Sequence, residues 1–214
     1  VCQAQTDSSY IGFYDQKIAL RTFVSRNFLI LTQETKNDDI SFVPNNPSNI
    51  GLGIAINNTV ISFGYGYGFD FLRDKKKGKT KSFDFQLHNY GRKYVLDLFI
   101  QEYKGFYQEK NSGKKNEEII LHPDLKIRSY GLHGQYVFNN KKFSYKAAFG
   151  HGEKQLKSAG SFLLGGGIYL TKISSDSSFF YKDKYVFRNF QFGVSGGYTH
   201  TWALGRHWFI NGSI

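Results

Sequence analysis

Residues 60–69 read V-I-S-F-G-Y-G-Y-G-F, and this stretch decides the predicted fold. From Ile61 onward, every odd position holds a large apolar or aromatic residue, and every even position holds Ser62 or a glycine. Successive side chains of a β-strand point to opposite faces, so one face of this strand is bulky and the other is almost bare. That arrangement is typical of a strand whose bulky face contacts lipid and whose bare face lines the interior of a membrane β-barrel.

The composition also favours strands over helices. The 214 residues include 21 Phe, 15 Tyr and 23 Gly, but only 3 Pro. Aromatic residues suit pleated sheets, and glycine suits turns and bulges. The mean hydropathy of -0.43 and the lack of a long apolar run argue against transmembrane helices. Half of each barrel strand faces a polar interior, so these values are compatible with a barrel.

The chain is basic, with a net charge of +11. Part of this charge lies in a predicted loop of residues 74–81, which reads D-K-K-K-G-K-T-K. The loop either keeps the surface soluble or binds an anionic surface, for which lipopolysaccharide phosphates are the favoured candidate. The candidate contact residues are Lys75, Lys76, Lys77, Lys79 and Lys81. No nucleic-acid-binding motif accompanies the basic residues, so nucleic acid is not an expected partner.

The first four residues, Val1-Cys2-Gln3-Ala4, resemble the end of a secretory signal with small residues around its cleavage site. We therefore expect residues 1–4 to be the remnant of a signal and residues 5–214 to form a single β-barrel domain. Both ends are expected to be cut from a longer precursor, with one or more C-terminal strands missing. Because Cys2 is the only cysteine, no disulfide is expected within the chain.

The bulky-and-bare alternation recurs along the chain and predicts an all-β, up-and-down antiparallel transmembrane barrel of about 10–12 strands. Short turns at residues 57–58, 90–91 and 139–142 define three hairpins. The predicted pairs are Ile54 with Ile61, Leu52 with Phe63, Phe85 with Leu96, Phe83 with Leu98, and Phe138 with Phe143. A slip of one residue would move every side chain to the other face, so this agreement constrains the strands.

The hairpins also predict which residues contact lipid. The lipid-facing residues are Ile61, Phe63, Tyr65, Tyr67, Phe69, Phe83, Phe85, Leu96 and Leu98. No helix is predicted, and the segment that comes nearest to a helical pattern is the short, highly charged stretch of residues 113–120. Long and short connections tend to alternate, as they do in outer-membrane barrels.

The second hairpin places a polar cluster on the opposite, inner face. Its register puts Asp84 opposite Asp97 and His88 opposite Lys93. Facing carboxylates repel each other unless a cation lies between them. The cluster is therefore either a neutralised network that fills the lumen, with Lys146 as a candidate cation, or a metal or proton site. The six histidines lack metal-ligand spacing, so no metal or other cofactor is expected.

Several motifs in combination resemble a known family. They are Gly64-Tyr65-Gly66-Tyr67-Gly68-Phe69, Gly78-Lys79-Thr80-Lys81, Tyr90-Gly91-Arg92-Lys93, Tyr103-Lys104-Gly105-Phe106-Tyr107, Arg128-Ser129-Tyr130-Gly131-Leu132, and S-A-G-S-F-L-L-G-G-G at residues 158–167. The family is a Bacteroidota domain of unknown function, number forty-four twenty-one, and the resemblance covers residues 15–214. It implies a secreted β protein of the Gram-negative outer membrane, and it supplies no catalytic residues.

These observations predict an outer-membrane barrel with a narrow or plugged channel. Its role would be structural or accessory to a complex of envelope proteins, and lipopolysaccharide and membrane lipid would be its other partners. One alternative is a soluble periplasmic barrel that binds a hydrophobic ligand. The other is a barrel enzyme acting on lipid or glycan, which a buried Ser–His pair would favour. Ser129 and His133 lie on predicted strands, but the sequence contains no nucleophile elbow or ordered triad, so an enzyme is not the main expectation.

Overall fold

The computed structural model describes residues 6–26, 29–34, 39–45, 48–66, 73–110, 119–180, 183–205 and 208–214. These residues form thirteen strands, one short helix and a 3-10 turn at Lys75–Lys77. The strands are β1 (Ile11–Phe13), β2 (Ile18–Ser25), β3 (Leu31–Glu34), β4 (Asp39–Val43), β5 (Asn49–Ile56), β6 (Thr59–Tyr65), β7 (Lys81–Tyr90), β8 (Tyr94–Lys110), β9 (Ile120–Val137), β10 (Glu153–Gln155), β11 (Ala159–Phe180), β12 (Asp183–Ala203) and β13 (Phe209–Ser213). The helix, α1, spans Tyr145–Phe149. No helix in this part of the chain is long and apolar enough to cross a membrane.

Eleven of these strands form one antiparallel sheet. Its order is β13-β12-β11-β9-β8-β7-β6-β5-β2, and the β3–β4 hairpin joins it where β4 pairs with the far end of β8. A separate two-stranded sheet consists of β1 and β10. The predicted all-β antiparallel fold is confirmed. Across the described ranges, β2 and β13 are sheet edges and the sheet is not closed into a barrel.

Three predictions fall on residues that are not described. They are the signal remnant at residues 1–4, the lipid-facing residues Tyr67 and Phe69, and most of the helix candidate at residues 113–120.

The two faces of the large sheet carry residues of different size. The face that we call the outer face exposes large apolar side chains on every long strand. They include Leu52, Phe63, Tyr65, Phe83, Leu96, Tyr130, Leu132, Phe162, Leu164, Ile168, Leu170, Phe190, Phe192 and Val194. The seven described residues predicted to be lipid-facing, Ile61, Phe63, Tyr65, Phe83, Phe85, Leu96 and Leu98, all lie on this face. The inner face carries glycines, polar residues and the buried side chains.

The first predicted hairpin is confirmed. Strands β5 and β6 pair Ile54 with Ile61 and Leu52 with Phe63. The turn lies at residues 57–58, where Asn57 has a φ of 52°. Asparagine is among the few residues that tolerate this left-handed conformation, which is why the turn forms there.

The second predicted hairpin forms with a different register. Strands β7 and β8 pair Phe85 with Ile100 instead of Leu96, because the turn occupies residues 91–93 and Tyr90 pairs with Val95. A Cβ on Gly91 would lie 2.6 Å from the carbonyl oxygen of Tyr94, so the tight turn requires a glycine at this position. The partner of each residue moves by four positions, an even number, so the predicted faces are unchanged.

The third predicted hairpin is wrong. After β9 ends at Val137, the chain forms α1, and β9 pairs with β11 instead. Helix α1 begins after Ser144, whose hydroxyl accepts a hydrogen bond from the backbone N–H of Ala147.

The strands of the large sheet are staggered. The row of paired residues that begins at Ile56, the last residue of β5, ends at Val194 in β12. Val194 lies nine residues before the end of β12 at Ala203. Each strand is therefore shifted along its neighbour in the same direction. A row of paired residues consequently runs diagonally across the sheet and moves away from the end at which the short turns lie.

Residues 6–16 and 138–158, which we call the cap, cover the short-turn end of the inner face. The cap contributes Phe143, which is fully buried and packs with Val95, Val137, Ala159 and Leu163 of the sheet. A partly buried ion pair of 2.8 Å joins Arg92 of the β7–β8 turn to Glu153 of the cap.

The cap also holds two groups whose pKa values are shifted by burial. Burial lowers the pKa of Lys146, whose ammonium donates to Asn58 Oδ1 at 2.9 Å, and it raises the pKa of Tyr145.

A second hydrophobic cluster covers the long-loop end of the inner face. Its buried members are Phe42, Tyr103, Phe106, Leu125, Ile127 and Ile173. A β-bulge in β8 at Gly105, which has a φ of 91°, marks the start of this region. The described inner face is thus packed at both ends, with a more polar band between them.

Candidate functional site

A line of polar side chains crosses this polar band from β7 to β12. We call it the polar chain, and its members in order are Gln86, His88, Asp97, His133 and Ser195. At its first end, His88 Nδ1 lies 2.6 Å from Asp97 Oδ1, and His88 Nε2 lies 3.2 Å from Gln86 Oε1. The imidazole of His88 therefore holds one oxygen of the Asp97 carboxylate, and Gln86 orients that imidazole through its other ring nitrogen.

The other end of the polar chain places an imidazole between a carboxylate and a hydroxyl. His133 Nδ1 lies 4.0 Å from Asp97 Oδ2, and His133 Nε2 lies 3.2 Å from Ser195 Oγ. The side chains of His133 and Asp97 are partly buried, whereas Ser195 is exposed on the inner face. Both ring nitrogens of His133 therefore face a polar partner.

Two glycines explain how His133 reaches Ser195 across an intervening strand. His133 in β9 pairs with Gly167 of β11, and Ser195 in β12 pairs with Gly165. Because neither glycine has a side chain, the imidazole can cross β11. A Cβ on Gly167 would lie 2.7 Å from Tyr169 Oη, so the hydroxyl of Tyr169 already occupies the space over this glycine.

Gln135 lies beside this pair. Gly165 pairs with Gln135 on one side and with Ser195 on the other. A Cβ on Gly165 would lie 2.8 Å from Gln135 Cγ, so the Gln135 side chain lies over this glycine. Gln135 Oε1 is buried and has no hydrogen-bond partner. A buried amide oxygen without a partner is costly, and it marks a position that water or a ligand can satisfy.

The inner-face cluster predicted from the sequence is only partly correct. Asp84 is buried on the inner face, but it pairs with Gln101 and accepts hydrogen bonds from the amides of Gln86 (3.0 Å) and Gln101 (3.3 Å). The predicted opposition of Asp84 and Asp97 is therefore wrong. His88 pairs with Asp97, not with Lys93, which lies exposed in the turn.

Ser195 and Gln135 were not predicted from the sequence as site residues, and His133 was named only as a histidine on a predicted strand. The only available signal was the alternation of side chains along each strand. It places Ser195 and Gln135 on the inner face, where they pair with the glycine-rich segment of residues 165–167. Among the described residues, no group of three or more His, Cys, Asp or Glu side chains is arranged to hold a metal ion.

The predicted lysine loop is ordered. The Asp74 carboxylate accepts from the backbone N–H of Lys76 and caps the 3-10 turn. The ammonium of Lys77 lies 4.6 Å from the centre of the Tyr107 ring and donates to its hydroxyl at 3.3 Å. The remaining lysines of the loop, Lys75, Lys76, Lys79 and Lys81, are exposed.

A wider basic surface lies on the outer face next to this loop. We call it the basic row, and its members are Lys81, Lys104, Lys126, Arg128, Lys172 and Arg188. Strand pairing places these residues side by side on five neighbouring strands. Glu102 lies among them, 2.7 Å from Lys126 and 2.8 Å from Arg128 Nε. A pocket of about 90 Å³ is lined by Lys126, Arg128, Lys172 and Ser174.

Residues 5–214 match the family described as Domain of unknown function (DUF4421). The chain belongs to this family. The resemblance inferred from its motifs is therefore confirmed. No curated protein and no solved structure matches the chain. Because the description of the family states no activity, the function is inferred from the geometry.

Proposed function

We propose that this protein is an outer-membrane β-barrel of a Gram-negative envelope, with a narrow interior that is packed at both ends and polar between them. The observation that carries the proposal is the outer face, where large apolar side chains stand exposed on every long strand. Phe192 is 80% exposed and Val194 is 93% exposed. Soluble monomers rarely expose contiguous apolar patches larger than a few hundred Å². Lipid contact gives these side chains an apolar environment.

The dimensions of the apolar region support this proposal. On β11 the outer-face residues from Phe162 to Leu170 are apolar or glycine, and Lys172 follows them. Eight residue steps at about 3.4 Å each span about 27 Å along the strand. A strand tilt of about 40° reduces this to about 20 Å, close to the apolar band of about 25 Å in outer-membrane barrels.

Aromatic side chains border the apolar region at its short-turn end. Tyr136 packs edge-on against Tyr94 and Phe138, Phe162 packs against Tyr198, and His200 packs against Trp202. Aromatic girdles of this kind occur where barrel strands leave the hydrocarbon for the headgroup region.

The stagger of the strands supports a barrel over a flat sheet. Closing a sheet into a barrel requires strands that tilt and shift progressively along their neighbours. A membrane barrel also requires the edges at β2 and at β12–β13 to be paired, because open edges leave backbone N–H and C=O groups unsatisfied in hydrocarbon. Closure of these edges is part of the proposal.

The packed ends of the inner face support a narrow or plugged interior. Phe143 and its neighbours fill the short-turn end, and the cluster around Leu125 fills the other end. A wide water-filled channel does not fit such packing. A structural role, or an accessory role within a complex of envelope proteins, fits it better.

The basic row and the lysine loop support lipopolysaccharide as a partner. Six cations and one carboxylate lie on the outer face directly beyond the apolar residues of β8–β12. Basic side chains at this level of a membrane protein attract anionic lipid headgroups, and each contributes about 1 kcal/mol. Phosphate groups fit the pocket between Arg128 and Lys172 in both charge and size.

The proposal is tested by fractionation and by gel mobility. A full-length chain expressed in a Gram-negative host should stay in the outer-membrane pellet after carbonate washing and should require detergent for extraction. Its unheated band in SDS should migrate differently from its boiled band, because a closed barrel resists SDS. Recovery of the chain in the periplasmic supernatant, with a single gel mobility, would instead support the soluble ligand-binding alternative.

A further inference from the structure

The polar chain brings a hydroxyl, an imidazole and a carboxylate into one line on the inner face. We propose that Ser195 is the nucleophile of an esterase site, with His133 as its general base and Gln135 as the donor to the oxyanion. Asp97 is a positioning residue that orients His133. The proposed substrates are short-acyl esters of polar alcohols, such as O-acetylated sugars.

The Ser195–His133 distance of 3.2 Å is within the range required of a nucleophile and its base. The Asp97 carboxylate faces the other ring nitrogen at 4.0 Å, and a closer approach of about 1 Å forms a hydrogen bond. Hydrogen bonds in catalytic sites are often long before the substrate binds. Because His88 holds the first oxygen of Asp97 at 2.6 Å, the second oxygen stays directed at His133.

Gln135 supplies an independent observation that points to a ligand. Its Cγ lies over Gly165, the residue that pairs with Ser195, and its buried amide oxygen has no hydrogen-bond partner. The oxygen and nitrogen of a glutamine amide exchange positions by a half-turn, which presents the NH₂ group to the same space. Removing a side-chain amide that donates to a developing oxyanion lowers kcat in acyl transfer by about 10²–10³-fold.

The surroundings of Ser195 determine the size and polarity of the substrate. Gly193 leaves the inner face bare beside the hydroxyl, because a Cβ on it would meet nothing within 4 Å, whereas Gln135 and Tyr169 occupy the space over Gly165 and Gly167. This space admits a carbonyl group and a small acyl group. Gln191 and Thr171, which lie further along this face toward the long loops, are polar, so a polar alcohol fits better than a long acyl chain.

The reaction balances with water as the only co-reactant. His133 Nε2 takes the proton of Ser195 as Oγ bonds to the ester carbonyl carbon, and the resulting oxyanion accepts a hydrogen bond from Gln135. The bond between the acyl carbon and the alkoxy oxygen then breaks, and His133 returns the proton to the departing alcohol. His133 then takes a proton from water as the water oxygen bonds to the acyl carbon. The acyl–Ser195 bond breaks, His133 returns the proton to Ser195 Oγ, and the carboxylic acid leaves.

The test uses the detergent-extracted full chain and a fluorophosphonate probe, which reacts covalently with activated serines. We expect mass spectrometry to locate the adduct on Ser195 of the unmodified protein, a result that needs no variant. We expect Ser195→Ala to abolish labelling and His133→Asn to slow it at least about 100-fold, as loss of a general base does. Ser129→Ala is the matched control, since Ser129 lies on the same face and its hydroxyl is 3.3 Å from that of Thr171.

Hydrolysis of p-nitrophenyl acetate, compared with that of p-nitrophenyl octanoate, tests the substrate class. We expect a preference for the acetate, and we expect Asp97→Asn to lower kcat with little change in KM because it affects the orientation of His133 and not binding. No adduct on the unmodified chain, or an adduct that persists in Ser195→Ala, would overturn the proposal. Because labelling is measured in detergent, an unlabelled outer-membrane protein rejects only the esterase, and a labelled periplasmic protein rejects only the membrane barrel.

Discussion

The outer and inner faces of the same sheet are organised in opposite ways. On the outer face, large side chains from neighbouring strands stand side by side and remain exposed, so that no residue depends closely on the shape of its neighbours. On the inner face, glycines leave space for particular side chains, such as the ring of Phe99 over Gly131 and that of Phe23 over Gly51. The outer face thus requires only apolar residues, whereas the inner face requires a specific fit.

The largest effect that separates the two faces is expected from removing a buried ring. Phe143→Ala should lower the free energy of unfolding by about 3–5 kcal/mol, because it leaves a cavity in the cap that other side chains cannot fill. The matched outer-face change, Phe192→Ala, should cost less than half as much, since detergent or lipid fills the vacated space. Urea unfolding followed by tryptophan fluorescence measures both losses, and equal losses would contradict the difference between the faces.

A charge on the outer face tests what that face contacts. Ile168→Arg should reduce stability in lipid vesicles by about 2–4 kcal/mol, the cost of a cation near the centre of the bilayer. Gln191→Arg on the inner face of the neighbouring strand is the control and should be tolerated. If the Ile168→Arg protein is as stable in vesicles as the control, the outer face does not contact hydrocarbon.

A single methyl group tests the fit of the inner face. Gly131→Ala should destabilise the protein by about 1–3 kcal/mol, because its Cβ would overlap the ring of Phe99. Gly193→Ala, which meets open space on the same face, should change stability by no more than about 0.5 kcal/mol. The temperature at which the folded gel band disappears compares the two variants, and a neutral Gly131→Ala would show that Phe99 moves aside freely.

The smallest effect is expected from a single charge at the end of the apolar region. Lys172→Gln should weaken binding to vesicles that contain a phosphorylated glycolipid by about 1 kcal/mol, and the loss should shrink at high salt. Lys76→Gln, in the lysine loop, should weaken it less because Lys76 lies outside the pocket beside Arg128. Co-sedimentation with the vesicles at two salt concentrations measures the loss of binding in both variants. A larger loss in Lys76→Gln would show that the anion binds at the lysine loop and not at the pocket.

The three predicted hairpins differ in how well they could be read from the sequence. The β5–β6 register was predictable because residues 57–58 form a two-residue turn whose first asparagine accepts positive φ. The β7–β8 register was not, since a turn at residues 91–93 preserves the same alternation as the predicted one. At residues 138–149 the alternation of aromatic residues resembled a strand, but packing of Phe143 against the sheet formed the cap and α1 instead.

The candidate site was even less accessible to sequence reasoning. His133 and Ser195 are 62 residues apart, and they meet only because β11 inserts between their strands with Gly165 and Gly167 at the crossing point. The predicted pairing of Asp84 with Asp97 failed because it depended on the register of a single hairpin.

The alternation of large and small residues determined by itself which side chains share a face, since this follows from the two-residue repeat of any strand. That information survives any even shift of register. The tertiary structure alone decided which inner-face residues meet, because such contacts depend on strand order and on the register of each successive pair. The bare face that begins at Ser62 was therefore predictable, and the polar chain on that face was not.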